Sequence, residues 1–385
     1  MHVLVISTGD PETRASWSGI TKSVVDQLRL DGHQVSTGNV EPRGADRYLA
    51  AAATFSPNNA RWHVRYTLDR VPFSLRSRRA ARCISAAGSL DWILQIGATF
   101  EPLGHGSIPY FCYCDSNIAM AERGRSTGHS HAASLSPIEL DAILRRERAV
   151  YQNATGIFAI HERLRRSFID DFQIPEGRTR AVYAGPNFDV AHVPPRTSLP
   201  GGRPPTVLFV GGQWERKGGD VLLAGFERVR STIPAARLIV VGPPESVRGA
   251  NVEWLGYLNK DTPEGWRALV DAYQRADVFC LPTRFEPFGI AFLEAMWFGL
   301  PCIGTDVWAV PEIVIDGDTG FTVPPEDPDQ LADRLCSLLT DRKLAAAMGQ
   351  AGRRRVKAVF TWPAVTARMM ELVAPAVAAR RATGG

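Results

Sequence analysis

Two glutamates, Glu286 and Glu294, bracket a Pro-Phe-Gly turn in the segment LPTRFEPFGIAFLEAMWFGLPCIGTDVWAVPEIV, which runs from Leu281 to Val314. The pattern predicts a strand ending near Pro282 and a loop carrying Glu286. A helix then begins at Phe288 or Gly289, with Glu294 in its second turn. That order suits an anionic ligand. Unpaired amides at a helix start, aided by the dipole, hold a diphosphate. Gly289 lets the phosphate come close to the main chain. Glu294 can accept both hydroxyls of a ribose, and Glu286 can reach hydroxyls of a sugar carried on the same diphosphate. Exposed glutamates are common on any surface. Two that flank such a turn and an apolar helix are better explained by one shared ligand.

Other chemistry-bearing residues read as structural. Asp316-Gly317-Asp318 is a D-x-D string between IVI and TGFTV, where Asp-Gly marks a turn between β-like runs. Asp327-Pro328-Asp329 reads as a helix start. His129 and His131 fall in the polar, Gly/Ser-rich stretch GRSTGHSHAAS and are expected in a loop rather than around a metal, and His161 at a strand end or cap. Cys112 and Cys114, two apart, share one face of a strand. Arg76, Arg78, Arg79 and Arg82, and then Arg145, Arg146 and Arg148, are expected on solvated helix faces, with attraction to anionic lipid or a phosphorylated acceptor as the sharper reading.

The elements that must position these residues alternate strand and helix twice along the chain. HVLVIST is followed by SGITKSVVDQLRLDG, whose apolar residues Ile20, Val24, Val25 and Leu28 have helical spacing, with Gly32 as a C-terminal cap. DWILQIGA, IPYFCYC, GIFAI and TRAVYAG read as further strands. DVAHVPPRTSLPGGRPP is dense in Pro and Gly and reads as a linker. The alternation restarts with TVLFVGG, the helix GGDVLLAGFERVRSTIP and ARLIVVG. It continues through VEWLGYL, ADVFCLPT, LPCIGTD and TGFTVPP to helices at DPDQLADRLCSLLTD and after Trp362. The fold class is therefore α/β, two Rossmann-like domains facing across a cleft, with parallel sheets covered by helices on both faces.

At 385 residues there is material for two such cores. No apolar run reaches the roughly 18 residues of a membrane span. The start MHVLVISTGDPE lacks a basic region and reads as a strand rather than a signal peptide, so a cytoplasmic protein is expected. Six cysteines in this length are expected as reduced thiols. A net charge of +4 is too small to argue for nucleic acid. Neither G-x-G-x-x-G in a strand–helix context nor G-x-x-x-x-G-K-[ST] is present, which argues against a dinucleotide oxidoreductase and a P-loop NTPase.

The string EPFGIAFLEA, followed by GLPCIGTD, VPEIV and DGDTGFTV, resembles the retaining glycosyltransferases of family 4, which have the GT-B fold. The two glutamates match that family's E-x7-E motif. The resemblance implies that Lys217, in VGGQWERKGGD, neutralises a donor diphosphate. Gln213 stands where an arginine is usual, and Arg216 is the substitute. It implies that Ser18-Gly19-Ile20 forms a glycine turn facing the phosphates and the acceptor. Asp115 carries over from the family's His-Asp pair, whereas Cys114 replaces the histidine. Trp308-Ala309 replaces a Gly-Gly pair, and Trp362 marks where the last helix returns to the first domain.

The resulting domain plan is 1–190 for the acceptor side, with a final helix at about 363–385 packing back on it, a linker at 191–205, and 206–362 for the donor side. The resemblance implies transfer of a hexosyl-type group from a UDP-, GDP- or dTDP-linked sugar to a hydroxyl, with retention. The expected catalytic residues are Glu286, Lys217 and Asp115. The donor is met by Gly19, Arg216, Lys217, Glu286, Phe288, Gly289, Ile290 and Glu294, and its base by the loop around Tyr257 and Leu258. No metal and no resident cofactor are expected, the nucleotide-diphosphate sugar being a co-substrate. Expected partners are that donor and a small-molecule, glycan or lipid-linked acceptor, with weak peripheral contact at the inner face of a membrane and no nucleic acid. The alternative is a GT-B protein that binds a nucleotide sugar without turnover.

Overall fold

The computed structural model describes residues 1–14, 16–188, 190, 193, 202–244 and 251–383. Its contacts divide the chain into two units, Met1–Ala184 with Trp362–Gly385, and Gly185–Thr361. Most of the 191–205 segment read as a linker lies outside the described residues. The division falls at Ala184 rather than at 190, because Phe188 is buried against Trp266, Trp297 and Phe298 of the second unit. Among the described residues no helix is long and apolar enough to cross a membrane.

The first unit is built on six parallel strands: β1 (His2–Ser7), β2 (Gln34–Asn39), β3 (Trp92–Ile96), β4 (Tyr110–Cys114), β5 (Gly156–Ala159) and β6 (Thr179–Ala181). Their order is β2-β1-β3-β4-β5-β6. β3 and β4 are buried along their whole length, as continuous apolar strands of a sheet covered on both faces must be. The helix Ile20–Leu30 buries Ile20, Val24, Val25 and Leu28, and Gly32 follows it in the left-handed region. The last helix, Trp362–Ala382, buries every fourth residue: Val365, Met369, Val373 and Val377. Its end is fixed by Arg380 donating to the Leu90 carbonyl at 2.8 Å and by an Arg381–Asp91 ion pair at 2.7 Å.

The arginine clusters are not uniformly solvated. Arg76 is buried and donates to the carbonyls of Thr67 at 2.7 Å and Tyr66 at 3.2 Å, while Arg146 donates to Leu68 at 2.6 Å. Those three carbonyls end the helix Asn59–Leu68, where intrahelical partners run out. Two arginines thus cap a helix from outside it. Arg148 donates to the Asp171 carbonyl, and Arg78, Arg82 and Arg145 stay exposed.

The second unit has β7 (Thr206–Val210), β8 (Arg237–Val241), β9 (Val252–Gly256), β10 (Val278–Leu281), β11 (Cys302–Thr305) and β12 (Gly320–Val323). All are parallel, in the order β12-β11-β10-β7-β8-β9. The chain leaves β7 for β8 on one side, and β10 lies on the other. The carboxyl ends of β7 and β10 therefore flank a topological switch point, where open α/β sheets hold their ligands. The loops that follow, 211–218 and 282–289, meet at Gly218. Its φ is +71°, and a Cβ there would lie 1.9 Å from the Pro282 carbonyl oxygen. Gly218→Ala is expected to lower unfolding free energy by about 3 kcal/mol. Gly177→Ala, with nothing within 4 Å of the added carbon, should stay within about 0.5 kcal/mol. Denaturant midpoints check both.

Candidate functional site

The loops after β7 and β10 are sewn together by their own backbone. The Arg216 carbonyl accepts from the Arg284 amide at 2.9 Å and from Thr283 Oγ1 at 3.1 Å. The Arg216 guanidinium donates back to the Phe285 carbonyl at 2.5 Å and to Gln213 Oε1. Arg284 clamps the outside, donating to both carboxylate oxygens of Asp220 at 2.7 Å and also to Glu326. Inside this frame Lys217 Nζ donates to Glu286 Oε2. The two side chains are only 12% and 6% exposed. Burial lowers the Lys217 pKa; Glu286 opposes that shift and Arg216 adds to it.

The helix Ile290–Trp297 starts beside this pair. Its N-cap is Gly289 at φ 105°, and no side chain caps it. A Cβ at Gly289 would lie 2.8 Å from the Phe292 ring, so the turn requires glycine for space as well as for φ. The first-turn amides lack a side-chain acceptor beside a buried cation, which makes this end of the loop pair suited to anions. Phe288 is buried with its ring edge-on to Phe360, and Ile290 is half-buried. Trp308, at φ 52°, sets its ring edge-on to Phe285 at 4.4 Å, which packs the loop carrying Glu286.

Glu294, expected from the sequence to take both hydroxyls of a ribose, has protein partners on both oxygens. It is 1% exposed, with Lys260 Nζ at 2.5 Å from Oε1 and Tyr273 OH donating to Oε2 at 3.0 Å. Tyr273 comes from the helix Pro263–Arg275 and stacks on Phe298 at 4.9 Å. Lys260 was not singled out from sequence. It lies in a polar loop, LNKD, and its only signal is that a buried carboxylate needs a counter-charge. Leu258, two residues before it, is half-buried, and Tyr257 is exposed.

Gly19 and Asp115 belong to the first unit, whereas Lys217, Arg216, Glu286, Phe288, Gly289, Ile290, Glu294 and Leu258 belong to the second. Gly19 is the third of three successive residues in the left-handed region: Trp17 at φ 49°, Ser18 at 52° and Gly19 at 82°. Such a run before the helix Ile20–Leu30 is strained for the two non-glycine residues. Asp115 follows β4 directly, and burial raises its pKa to about 6 against the opposing amides of Asp115 and Ser116. Glu147 is also buried. Its Oε2 accepts the Ile118 amide at 2.8 Å, and burial raises its pKa to about 7. Cys114 is buried, with its thiol pushed well up by the same desolvation.

The D-x-D string forms a turn. The Asp318 amide donates to the Ile315 carbonyl, and Asp316 Oδ1 accepts from the Thr322 amide at 2.9 Å. Asp327 caps the helix Pro328–Thr340. His131 begins a short 3-10 turn, and His161 caps the helix Glu162–Asp170 by accepting from the Leu164 amide.

Residues 204–341 match the family model described as Glycosyl transferases group 1. The chain is similar to a GDP-mannose-dependent alpha-(1-6)-phosphatidylinositol monomannoside mannosyltransferase of Mycobacterium tuberculosis, at 32% identity over 197 residues, 46% of this chain and 50% of that protein. It is also similar to a glycogen synthase of the same organism, at 30% identity over 193 residues, 46% of this chain and 44% of the other. The chain thus spans about half the length of the curated relatives it matches. Among solved structures, a sucrose-phosphate synthase from Thermosynechococcus elongatus aligns over 98% of this chain and 100% of its own, at 22% identity and a TM-score of 0.72. Anabaena Alr3699/HepE in complex with UDP and glucose aligns over 97% and 99%, at 14% identity and a TM-score of 0.63. These likenesses show the fold.

Two outcomes follow from the side chains alone. Lys217→Met strands the buried Glu286 carboxylate and should cost about 3 kcal/mol, most of which the double variant Lys217→Met/Glu286→Gln recovers. Urea melts of the wild type, Lys217→Met, Glu286→Gln and the double variant check this. Asp115 and Glu147 keep protons in the folded chain at pH values where the unfolded chain has lost them. Their contribution to stability therefore falls as pH rises from about 4 to about 7. Asp115→Asn with Glu147→Gln should flatten that decline in a pH series of melts.

Proposed function

We propose that this chain, a glycosyltransferase of GT-B fold whose residues 204–341 carry the Glycosyl transferases group 1 domain, moves a hexosyl group from a nucleotide-diphosphate sugar to an acceptor hydroxyl, with retention and without a metal or resident cofactor. The observation that carries the reading is the buried Lys217–Glu286 pair beside the uncapped helix start at Gly289. The relatives named as GDP-mannose-dependent make GDP-mannose the first donor to test, ahead of UDP- and dTDP-linked sugars.

In this reading the donor diphosphate enters at Gly289 and draws the Lys217 ammonium toward its oxygens. Glu286 then turns to hydroxyls of the sugar, and Glu294, held by Lys260 and Tyr273, takes the ribose hydroxyls. As the bond from the anomeric carbon to the diphosphate oxygen breaks, negative charge builds on the leaving group. Lys217 and the first helix amides face that charge and lower the barrier. The acceptor oxygen bonds to the anomeric carbon on the face the diphosphate leaves, and the acceptor proton passes to a diphosphate oxygen. No protein nucleophile takes part. Gly19 is assigned to the donor phosphates and the acceptor, and Asp115 to catalysis. Leu258 and its loop meet the base.

A binding-only protein is the second reading, favoured by the Arg216 guanidinium being engaged by Gln213 and Phe285. Nucleotide release from GDP-mannose and its UDP and dTDP counterparts, measured with simple and lipid-linked acceptors, separates the two. Lys217→Ala should lower kcat by about 10²–10³-fold. EDTA should leave the rate unchanged, and the product linkage should keep the donor's anomeric configuration. Donor-induced thermal stabilisation without released nucleotide would support binding alone.

A further inference from the structure

The first unit carries a surface that the transfer chemistry does not use. Residues 41 to 86 hold nine arginines and no lysine against three acids, Glu41, Asp46 and Asp69, in a chain whose total charge is only +4. Arg76 is internal, and Arg61 and Arg65 are answered by Glu139 and Asp69. Arg43, Arg47, Arg70, Arg78 and Arg82 are exposed. The helix Ala45–Ala53, ADRYLAAAA, is mostly apolar yet buries only Ala50. Of eight large apolar side chains exposed among the described residues, four belong to this 41–86 stretch, and a fifth, Ile138, lines a cavity with Val71. Tyr48, Leu49, Phe55 and Ile138 are 55–81% exposed, and Val71 is 36% exposed.

Two of these side chains, Val71 and Ile138, share one depression, whose two acids, Asp69 and Glu139, are paired with Arg65 and Arg61. Ala53, Val71 and Ile138 line a cavity of about 280 Å³ together with Arg70 and Arg146. Leu49 stands one helical turn before Ala53, on the same face. Phe55 follows directly and packs edge-on to Trp62. Exposed apolar area concentrated in this way marks an interaction surface.

We propose that this face of the first unit docks on an anionic lipid bilayer, with Tyr48, Leu49, Phe55, Val71 and Ile138 entering the interface and the arginines at headgroup level. A bilayer surface offers an apolar interior and a layer of negative charge at the same place, which is what this combination of side chains requires. A second copy of this chain would set the same arginine excess against itself. The surface belongs to the first unit alone and does not depend on the transfer reaction.

Co-sedimentation of the full chain with vesicles tests this. Binding should be strong to equal parts phosphatidylcholine and phosphatidylglycerol, weak to phosphatidylcholine alone, and reduced by salt. Arg47→Glu with Arg70→Glu should weaken binding by at least about tenfold, since each charge near such a surface contributes about fivefold. Leu49→Ser, Phe55→Ser and Ile138→Ser together should weaken it by at least about tenfold through lost apolar burial. All these side chains are exposed, so the variants should keep the wild-type melting temperature and its response to nucleoside diphosphate. Equal binding to neutral and anionic vesicles, wild-type affinity in both variants, or a concentration-dependent dimer that the serine variant abolishes would each overturn the proposal. A failure of nucleotide binding with vesicle binding intact would count against the transfer reading only.

Discussion

Burying a lysine against a glutamate is costly, because each loses water and the attraction between them restores only part of that loss. Replacing such a pair with apolar residues often stabilises a protein, so its presence at Lys217 and Glu286 calls for another reason. The proposed donor would supply one: in that reading its diphosphate takes over the lysine and its sugar hydroxyls take over the glutamate, so that the two charges held against each other in the free protein would separate without either being left alone. Burial lowers the Lys217 pKa, and Glu286 is the neighbour that opposes the shift.

Everything around the pair keeps the two loops at a fixed separation. Parallel pairing of β7 with β10 brings both loop origins to the same edge of the sheet. The Arg216 carbonyl, shared by the Arg284 amide and the Thr283 hydroxyl, holds the loops at their midpoint. Arg284 holds them on the outer side through Asp220 and Glu326. Gln213 is part of the same frame, since it positions the Arg216 guanidinium that reaches Phe285. Trp308 packs on Phe285 as well.

Much of this was legible in the sequence wherever local chemistry decides structure. The apolar strands β1, β3 to β5, β7, β8, β10 and β11 announce themselves by composition, and the Asp-Gly and Asp-Pro strings form the turn and the cap that their types favour. Edge strand β2, QVSTGN, is polar because few of its side chains are buried, so no hydrophobic pattern marks it. The helix Arg342–Val359 buries small residues, including Ala345, Gly349, Ala351 and Gly352, which carry little periodic signal. Arg76 and Arg146 look like surface charges until the helix end they cap is known. The partnership of Lys260 with Glu294 spans 34 positions and depends entirely on the tertiary fold. Residue types reveal which groups can do chemistry. Which of them are already partnered is set by packing.

Equilibrium binding of a nucleoside diphosphate and of the matching nucleoside, to the wild type and to Lys217→Met, bears most directly on the role given to the buried pair. Loss of one charge-assisted contact to phosphate should weaken the diphosphate by at least about tenfold and leave the nucleoside unchanged. Equal weakening of both ligands, or of neither, would contradict the assignment of Lys217 to the diphosphate.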